Sequence, residues 1–279
     1  MRLAVRSALA MAAVVAVTAL APPLAGAGAA TLSCGQSVSA DVRLTRDLTG
    51  CAGDGLVVTA PGVRVDLAGH RITGRGSGAG IALEAPGVTV TGGTVSGFVD
   101  GVVVRPGGGG TVSCMRLAGN VDGLFREPGG GTHPDLLVRD SRLVGNSGNG
   151  LTLTRGATTV RDSRISRNLG YGIQAFEADD AVYERNRVNR NGLDGMRIRD
   201  ATARIVGNRA SRNGGGGIVV IDDYPALYPY FLKDNTANRN AALGIARYLD
   251  VTGPGIDGGG NRARGNGDAR ECLGITCSR

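Results

Sequence analysis

The sequence predicts an all-β solenoid, a stack of coils that are each built from short strands. Glycine accounts for 48 of the 279 residues, and this disfavours a helical bundle because a glycine inside a helix costs about 1 kcal/mol. A glycine followed by an aliphatic residue recurs about every 22 residues, and a fixed period of that size is typical of repeat proteins. Apolar and polar residues alternate within each repeat, as they do in half-buried strands.

The first 30 residues predict a secretory signal peptide. Arg2 and Arg6 precede an apolar run from residue 8 to residue 21. The run is shorter than the roughly 20 residues that a membrane-spanning helix needs. Small residues follow it as far as Ala30, which completes the order of charged, apolar and small segments found in signal peptides. We therefore expect a secreted protein without a membrane span.

The cysteines suit an oxidising compartment. We expect Cys34 to pair with Cys51 and Cys272 with Cys277, so that a disulfide lies near each end of the mature chain. Cys114 lies within the repeats, where we expect a small buried residue. The sequence contains only two histidines, so a zinc or copper site built from His and Cys is not expected.

Two columns of polar residues run through the repeats. An Asn lies four residues before the glycine in the later repeats, and a Ser or Asn lies five residues before that Asn. Stacked Asn side chains can form hydrogen bonds along the stack and satisfy the backbone of the turns. The glycine is expected to permit a sharp turn. We assign a structural role to the residues of both columns, which are Ser141, Ser163, Asn186, Asn208, Asn235 and Asn261, and Asn146, Asn168, Asn191, Asn213 and Asn240.

The motif Asn186-Arg-Val-Asn-Arg-Asn191-Gly-Leu-Asp-Gly195-Met196 resembles the repeat of right-handed parallel β-helix proteins, the pectate-lyase-like superfamily. The resemblance implies an all-β, single-stranded right-handed parallel β-helix of about nine coils, capped at both ends. It also implies a secreted setting and a glycan ligand, because the superfamily includes polysaccharide lyases, glycoside hydrolases, uronan epimerases and accessory proteins of copper enzymes. The expected boundaries are a signal peptide at 1–30, an N-terminal cap at 31–55, the β-helix at 56–266 and a C-terminal cap at 267–279.

Two longer repeats predict the walls of a groove. Insertions follow Phe125 and Ile221, and each lengthens its repeat to 27 residues. Both leave the same strand at the same turn, four coils apart, which corresponds to about 19 Å at about 4.8 Å per coil. Functional residues favour loops on a rigid scaffold. We therefore expect the outward-facing residues between the two insertions to form the floor of a glycan-binding groove.

Charged and aromatic residues concentrate near the second insertion. Arginine binds carboxylates through two parallel hydrogen bonds, and tyrosine offers a flat face with a polar tip, so a polyuronate would suit this surface. The candidate catalytic residues are Arg197, Arg199, Asp200, Asp222 and Asp223, and the candidate substrate-binding residues are Gln174, Phe176, Glu177, Tyr224, Tyr228 and Tyr248.

β-Elimination on a uronate polysaccharide is the reaction that the sequence favours. A base removes the proton beside the uronate carboxylate, and a cation stabilises the negative charge that develops. Arg197 or Arg199 could serve as the base or as the clamp. Asp179 and Asp180 could hold Ca²⁺, because this ion prefers oxygen ligands.

Hydrolysis and non-catalytic binding are the alternatives. In hydrolysis two carboxylates flank the glycosidic bond, and Asp200, Asp222 and Asp223 are the candidates. A β-helix without a catalytic set could instead bind glycan or the cell envelope. The net charge of +7 is spread along the chain among acidic residues, which argues against nucleic acid and for an acidic polymer as the partner. We expect a monomer.

Overall fold

The computed structural model describes residues 32–131, 133–223, 229–249 and 255–279. Within these ranges the chain forms 31 short strands and no helix. The predicted signal peptide lies outside the described residues. No helix in the described part is both long and apolar enough to cross a membrane.

The strands form three parallel sheets that wrap around a common core. Sheet A has 11 strands, and sheets B and C have 10 each. Each strand pairs in parallel with the strand three places later in the chain, so every third strand belongs to the same sheet. This topology is a parallel β-helix, which confirms the predicted fold.

The strands of each sheet follow one another at intervals of one coil. Sheet A contains β1 (Gln36–Val38), β4 (Leu56–Val58), β7 (Ala79–Leu83), β10 (Asp100–Val104), β13 (Asp122–Arg126), β16 (Leu151–Thr154), β19 (Ile173–Phe176), β22 (Met196–Arg199), β25 (Ile218–Asp222), β28 (Ile245–Leu249) and β31 (Cys272–Leu273). Sheet B contains β2 (Val42–Arg43), β5 (Arg64–Asp66), β8 (Val88–Thr91), β11 (Gly110–Ser113), β14 (Leu136–Arg139), β17 (Thr158–Arg161), β20 (Ala181–Glu184), β23 (Ala203–Val206), β26 (Tyr230–Lys233) and β29 (Ile256–Asp257). Sheet C contains β3 (Leu48–Cys51), β6 (Arg71–Gly74), β9 (Thr94–Ser96), β12 (Arg116–Ala118), β15 (Arg142–Val144), β18 (Arg164–Ser166), β21 (Arg187–Asn189), β24 (Arg209–Ser211), β27 (Thr236–Asn238) and β30 (Arg262–Arg264).

The core is a column of aliphatic side chains inside the coils. Val160, Ile165 and Ile173, which the alternation predicts to face inward, are fully buried. Each such side chain stabilises the fold by about 1.5–3 kcal/mol relative to an exposed one. One coil cannot enclose its own inner face, so neighbouring coils share the core.

Both polar columns are hydrogen-bonded ladders. In the second ladder, Asn191 Nδ2 donates to Asn213 Oδ1 (3.1 Å) and to the carbonyl oxygen of Ile165 (3.5 Å), while Asn191 Oδ1 accepts from Asn168 Nδ2 (3.0 Å). The backbone N–H of each rung also donates to the Asn of the next coil. The ladders therefore satisfy buried backbone groups, as predicted. They run through Ser141, Ser163, Asn186, Asn208, Asn235 and Asn261, and through Asn120, Asn146, Asn168, Asn191, Asn213, Asn240 and Asn266.

The glycine column is required by close packing and not by a sharp turn, so its predicted role is wrong. Gly150 does not adopt a left-handed conformation. A Cβ atom on Gly150 would lie 2.3 Å from Ile165 Cγ2 and 2.5 Å from the carbonyl oxygen of Gly172. The left-handed turns are occupied by glycines outside this column, such as Gly145, and by other residues, such as Arg167 and Arg190.

Disulfides lie near both ends of the β-helix. Cys34 is bonded to Cys51 and Cys272 to Cys277, as predicted. Residues 36–51, within the segment expected to be a cap, form β1, β2 and β3 in register with the next coil. This coil brings the total to about ten, where about nine were predicted.

Cys114 is exposed, which corrects the prediction of a buried residue. It adopts a left-handed φ of 55° in the turn between sheets B and C. Asp140 and Asp162 occupy the equivalent position in the next two coils. The reason for the exposure is that this position belongs to a turn and not to the inner face of a strand.

Candidate functional site

The structure brings three of the five candidate catalytic residues together. Arg199 Nε lies 2.6 Å from Asp223 Oδ2 and 3.5 Å from Asp200 Oδ2. The backbone N–H of Asp223 donates to Asp200 Oδ1 at 2.9 Å. The guanidinium group of Arg199 therefore contacts two carboxylates, at the point where sheet A turns toward sheet B.

Arg197 and Asp222 do not share one site. Arg197 faces outward, with Nη1 3.2 Å from Asp194 Oδ2 and its guanidinium carbon 5.6 Å from the centre of the Tyr171 ring. Asp222 is only 5% exposed and follows the outward-facing Ile221 in β25. The charge of Asp222 acts on Arg247, where it opposes the lowering of the Arg247 pKa by burial.

The remaining predicted residues are spread over the same end of the molecule. Glu177 pairs with Arg155 (3.0 Å), and Asp179 and Asp180 are exposed in the following turn. Phe176 is partly exposed, and Tyr248 lines a depression of about 420 Å³ together with Asp222 and Asp223. Tyr224 and Tyr228 lie outside the described residues. Within the described ranges, no group of three or more His, Cys, Asp or Glu residues could hold a metal ion.

The outward face of sheet A between the two insertions is polar in its centre and apolar toward its end. Thr152, Gln174 and Arg197 occupy equivalent positions on neighbouring strands. Val219 and Ala246 continue this column, but both are buried. They are buried because they pack with each other and with Leu243.

Both insertions connect sheet A to sheet B, where the sequence placed them. The first follows β13 and is anchored by Arg126, which is only 2% exposed. Arg126 donates to the carbonyl oxygen of Pro134 (2.7 Å) and to Thr158 Oγ1 (3.0 Å). Burial lowers the pKa of this arginine. The first insertion is thus held in place by an inward-facing cation. Most of the second insertion, residues 224–228, is outside the described ranges.

A second cluster of acidic residues lies on sheet A, in coils that the sequence interpretation did not consider. Asp100 and Asp122 begin β10 and β13 and are direct partners in the parallel register. Adjacent parallel strands are about 4.8 Å apart, so the two carboxyl groups project from neighbouring coils. Glu127 lies at the other end of β13. None of these three carboxylates has an ion-pair partner among the described residues.

Arg105 holds two further acids of this region. Its Nη2 lies 2.9 Å from Asp54 Oδ2, and its Nη1 contacts the carboxylate of Glu84. Asp54 precedes β4, whereas Arg105 follows β10. The arginine side chain therefore links the amino-terminal end of one sheet A strand to the carboxyl-terminal end of another. Asp54 and Glu84 thus pair with Arg105, whereas Asp100, Asp122 and Glu127 have no ion-pair partner among the described residues.

Asp100 has the most perturbed carboxyl group of this cluster. Burial raises its pKa to about 7, and the negative charges of Asp122, Glu127 and Asp54 add to the effect. The burial has an apolar source, because its register partner Ala79 packs with Ala82 and Val103 in a small cluster on this face. A carboxyl group with such a pKa is partly protonated near neutral pH.

Asp122 accepts two hydrogen bonds from the neighbouring coil. Thr152 Oγ1 donates to Asp122 Oδ2 (2.8 Å), and the backbone N–H of Asn149 donates to Asp122 Oδ1 (2.7 Å). Asn149 Nδ2 in turn donates to Gln174 Oε1 at 3.0 Å. Gln174, a predicted binding residue, is therefore linked to Asp122 through the backbone and side chain of Asn149. Two neighbouring carboxyl groups in different surroundings can act as an acid and a base on one bond.

The sequence contains a signal for this cluster. The residue immediately before the repeat glycine is an aspartate at positions 54, 100, 122 and 194. This column stands at the edge of sheet A, next to the outward face. The local density of acidic and aromatic residues is instead highest near the second insertion, at the other end of the molecule.

A protein-family model described as a right-handed β-helix region matches residues 100–261. No curated protein matches the sequence. Among solved structures, a double mutant of a periplasmic alginate epimerase is 12% identical with a TM-score of 0.56, covering 85% of this chain and 72% of its own.

Two other solved structures show the same fold. A pectate lyase is 12% identical with a TM-score of 0.54, covering 89% of this chain and 78% of its own. The A-module of a mannuronan C-5 epimerase from Azotobacter vinelandii is 16% identical with a TM-score of 0.50, covering 81% of this chain and 79% of its own.

Proposed function

The chain belongs to the right-handed β-helix family, and from that premise we propose that it is an exported glycoside hydrolase that acts on an extracellular polysaccharide. The observation that carries this proposal is the pair Asp100 and Asp122, which project from register-matched positions of adjacent strands. Their surroundings differ in the sense that hydrolysis requires. Asp100 is partly buried beside Ala79, a member of a small apolar cluster, whereas Asp122 accepts hydrogen bonds from Thr152 and Asn149.

In the proposed reaction, Asp100 donates its proton to the glycosidic oxygen as the bond to the anomeric carbon breaks. Asp122 acts on the anomeric carbon, directly or by taking a proton from the attacking water. If Asp122 attacks the carbon directly, the ionised Asp100 then takes a proton from water, and the hydroxyl displaces Asp122 and becomes that of the new reducing end. If Asp122 instead takes the proton of the attacking water, Asp122 ends protonated and Asp100 ionised, and proton exchange with the solvent resets both groups. Thr152 and Asn149 hold the Asp122 carboxylate in position through their hydrogen bonds.

Three further observations support a polysaccharide as the substrate class. The three solved structures with this fold are named for alginate, pectate and mannuronan. The face of sheet A is long and open, and its centre carries Gln174 and Arg197, which can form hydrogen bonds with sugar hydroxyls. Two disulfides suit an oxidising, extracellular location.

A uronate lyase is the second candidate function, and Arg197 is the observation that favours it. The guanidinium group is held by Asp194 and lies over the Tyr171 ring, three coils from Asp122. An arginine held in this way could bind a uronate carboxylate or stabilise an enolate-like charge. Hydrolysis and elimination leave different products, so the two candidates can be distinguished.

The proposal is tested by the release of reducing ends from polygalacturonate, alginate, hyaluronan, heparosan and a neutral xylan. We expect release from at least one polymer, reduced about 100-fold or more in Asp100→Asn and Asp122→Asn, because general acid–base groups contribute that much. Asp140→Asn is the matched control, since Asp140 is an exposed acid beside sheet B that pairs with Arg139. No release from any polymer, or equal loss in the control, would contradict the proposal.

A further inference from the structure

Sheet C carries two columns of arginines on its outer side. One column lies at the first position of successive sheet C strands, and the other lies in the turn that follows them. We call these residues the arginine face. They are Arg116, Arg142, Arg164, Arg187, Arg209 and Arg262 in the strand column, and Arg167, Arg190, Arg212 and Arg239 in the turn column.

The strand column places like charges side by side over five consecutive coils. The register pairs Arg116 with Arg142, and the column continues without a break to Arg209. All five side chains are exposed, and adjacent strands are about 4.8 Å apart. Like charges directly opposite each other on neighbouring strands oppose folding. The column therefore weakens the fold unless a negative partner compensates it.

The charges of the arginine face are not neutralised by the described residues. No member forms an ion pair there, whereas arginines of the adjacent sheet B side do. Arg139 pairs with Asp140 (2.8 Å), and Asp162 pairs with Arg161 (3.0 Å) and Arg185 (2.8 Å). Asp140 and Asp162 precede Arg142 and Arg164 by two residues, and both acids are paired with arginines on the sheet B side. A high arginine content of the whole chain would not by itself leave the arginines of sheet C unpaired and those beside sheet B paired.

The turn column retains arginine where the backbone would suit glycine. Arg167, Arg190, Arg212 and Arg239 have φ values of 57–59°, a left-handed conformation that is uncommon for residues other than glycine. Glycine occupies the same turn in other coils, as at Gly145. The arginine side chain is thus present at a position where the backbone does not favour it.

The surface between the two columns offers polar groups and no aromatic rings. A depression of about 380 Å³ is lined by arginines of both columns and by Ser166, Asn189 and Ser211. Hydroxyl and amide groups of this kind form hydrogen bonds with sugar hydroxyls. Proteins that bind single-stranded nucleic acid rely on aromatic side chains that stack on the bases, and none lines this depression.

We propose that the arginine face binds a linear acidic polysaccharide that carries one carboxylate on each sugar residue and runs along the solenoid axis. Each coil presents an arginine of the strand column, and guanidinium groups bind carboxylates through two parallel hydrogen bonds. The face lies on sheet C, whereas Asp100 and Asp122 lie on sheet A. The proposal is therefore independent of the proposed hydrolysis and would stand if that reaction were not found.

The test compares two triple variants that remove the same charge. Arg164→Gln, Arg187→Gln and Arg209→Gln change the arginine face, and Arg139→Gln, Arg161→Gln and Arg185→Gln change the paired arginines beside sheet B. Both sets are placed in an Asp100→Asn background to prevent cleavage. The dissociation constant for oligogalacturonates is measured by calorimetry, with the fully methyl-esterified oligomers as a neutral ligand control.

We expect the first triple variant to raise the dissociation constant about tenfold or more and the second to change it about twofold or less, because exposed charges already paired contribute little. Binding should weaken with salt and should be lost for the methyl ester. Equal effects of the two variants, unchanged binding of the ester, or absence of binding to the parent protein would overturn the proposal. Tighter binding of single-stranded DNA or of anionic lipid vesicles would also overturn it. Matching thermal unfolding curves show that both variants are folded.

Discussion

At the scale of single residues, the carboxyl group of Asp100 is shaped largely by residues from the neighbouring coils. Ala79, Ala82 and Val103 come from two coils, and Asp122 comes from a third. Local composition around Asp100 is unremarkable, so the sequence interpretation chose the denser group near Asp222 instead. Only the register between coils shows that an aspartate stands beside an apolar cluster and a second carboxylate.

The raised pKa of Asp100 predicts a pH-dependent cost to stability. Its pKa is about 7 in the folded protein, whereas the ordinary pKa of an aspartate, which applies in the unfolded chain, is 3.8. Between these values the folded state keeps a proton that the unfolded chain has released, so stability falls as the pH rises from about 4 to 7. Because the carboxyl group is partly exposed, solvent screening limits the cost to about 1–2 kcal/mol.

Asp100→Asn should remove this cost, since the amide cannot ionise. We expect the variant to be more stable than the parent by about 1–2 kcal/mol at pH 8 and equally stable at pH 4. Urea unfolding at the two pH values measures the difference. A variant that is less stable at pH 8 would show that the Asp100 carboxylate is not destabilised by its surroundings.

The same carboxyl group predicts the pH dependence of catalysis. Asp100 must be protonated to act as the acid, so kcat/KM should decline as the pH rises through about 7. Initial rates measured between pH 4 and pH 9 show at which pH kcat/KM declines. A rate that stays constant from pH 6 to pH 9 would exclude Asp100 as the general acid.

At the scale of structural elements, the hydrogen-bonded ladders explain the repeat better than any single strand does. The spacing of the Ser and Asn columns could be predicted from the sequence because each rung repeats the same contacts. The role of the glycines could not, because the atom that excludes a side chain at Gly150 belongs to the next coil. The Asn ladder also requires the glycine column, because a Cβ atom on Gly150 would lie 2.8 Å from Asn168 Nδ2.

Asn191→Ala should destabilise the protein strongly. The change removes bonds to Asn168, Asn213 and Ile165 in the buried interior, and each buried group left without a partner costs about 1–3 kcal/mol. We expect a loss of about 3 kcal/mol or more in chemical unfolding. Asn189→Ala is the matched control, because Asn189 is partly exposed and accepts one bond from the backbone of Ser211. Similar losses in both variants would contradict a special role of the ladder.

At the scale of the whole molecule, the β-helix separates two chemistries on different sheets. Sheet A carries the carboxylates, and sheet C carries the unpaired arginines. The repeat period predicted the fold and the number of coils closely, because those follow from patterns along the chain. The division of charge between faces could not be predicted in the same way, since it depends on which acids and arginines pair across coils.

The solenoid architecture predicts that damage at one end stays local. In Cys34→Ser the first coil loses its disulfide to Cys51, whereas coils further along contact only their own neighbours. We expect faster hydrogen exchange in residues 36–51 and unchanged protection in β16–β24. Uniform loss of protection along the chain would show that the coils unfold as one cooperative unit.

The central claim is that Asp100 and Asp122 hydrolyse a glycosidic bond, and the mass of the products tests it most directly. The oligosaccharides released from the preferred polymer are analysed by mass spectrometry together with ultraviolet absorbance, for the parent protein and for Asp122→Asn. We predict products that have gained one water for each bond broken, do not absorb as unsaturated uronates, and disappear in the variant. Products that lack the added water and absorb in the ultraviolet would contradict hydrolysis and favour elimination at Arg197.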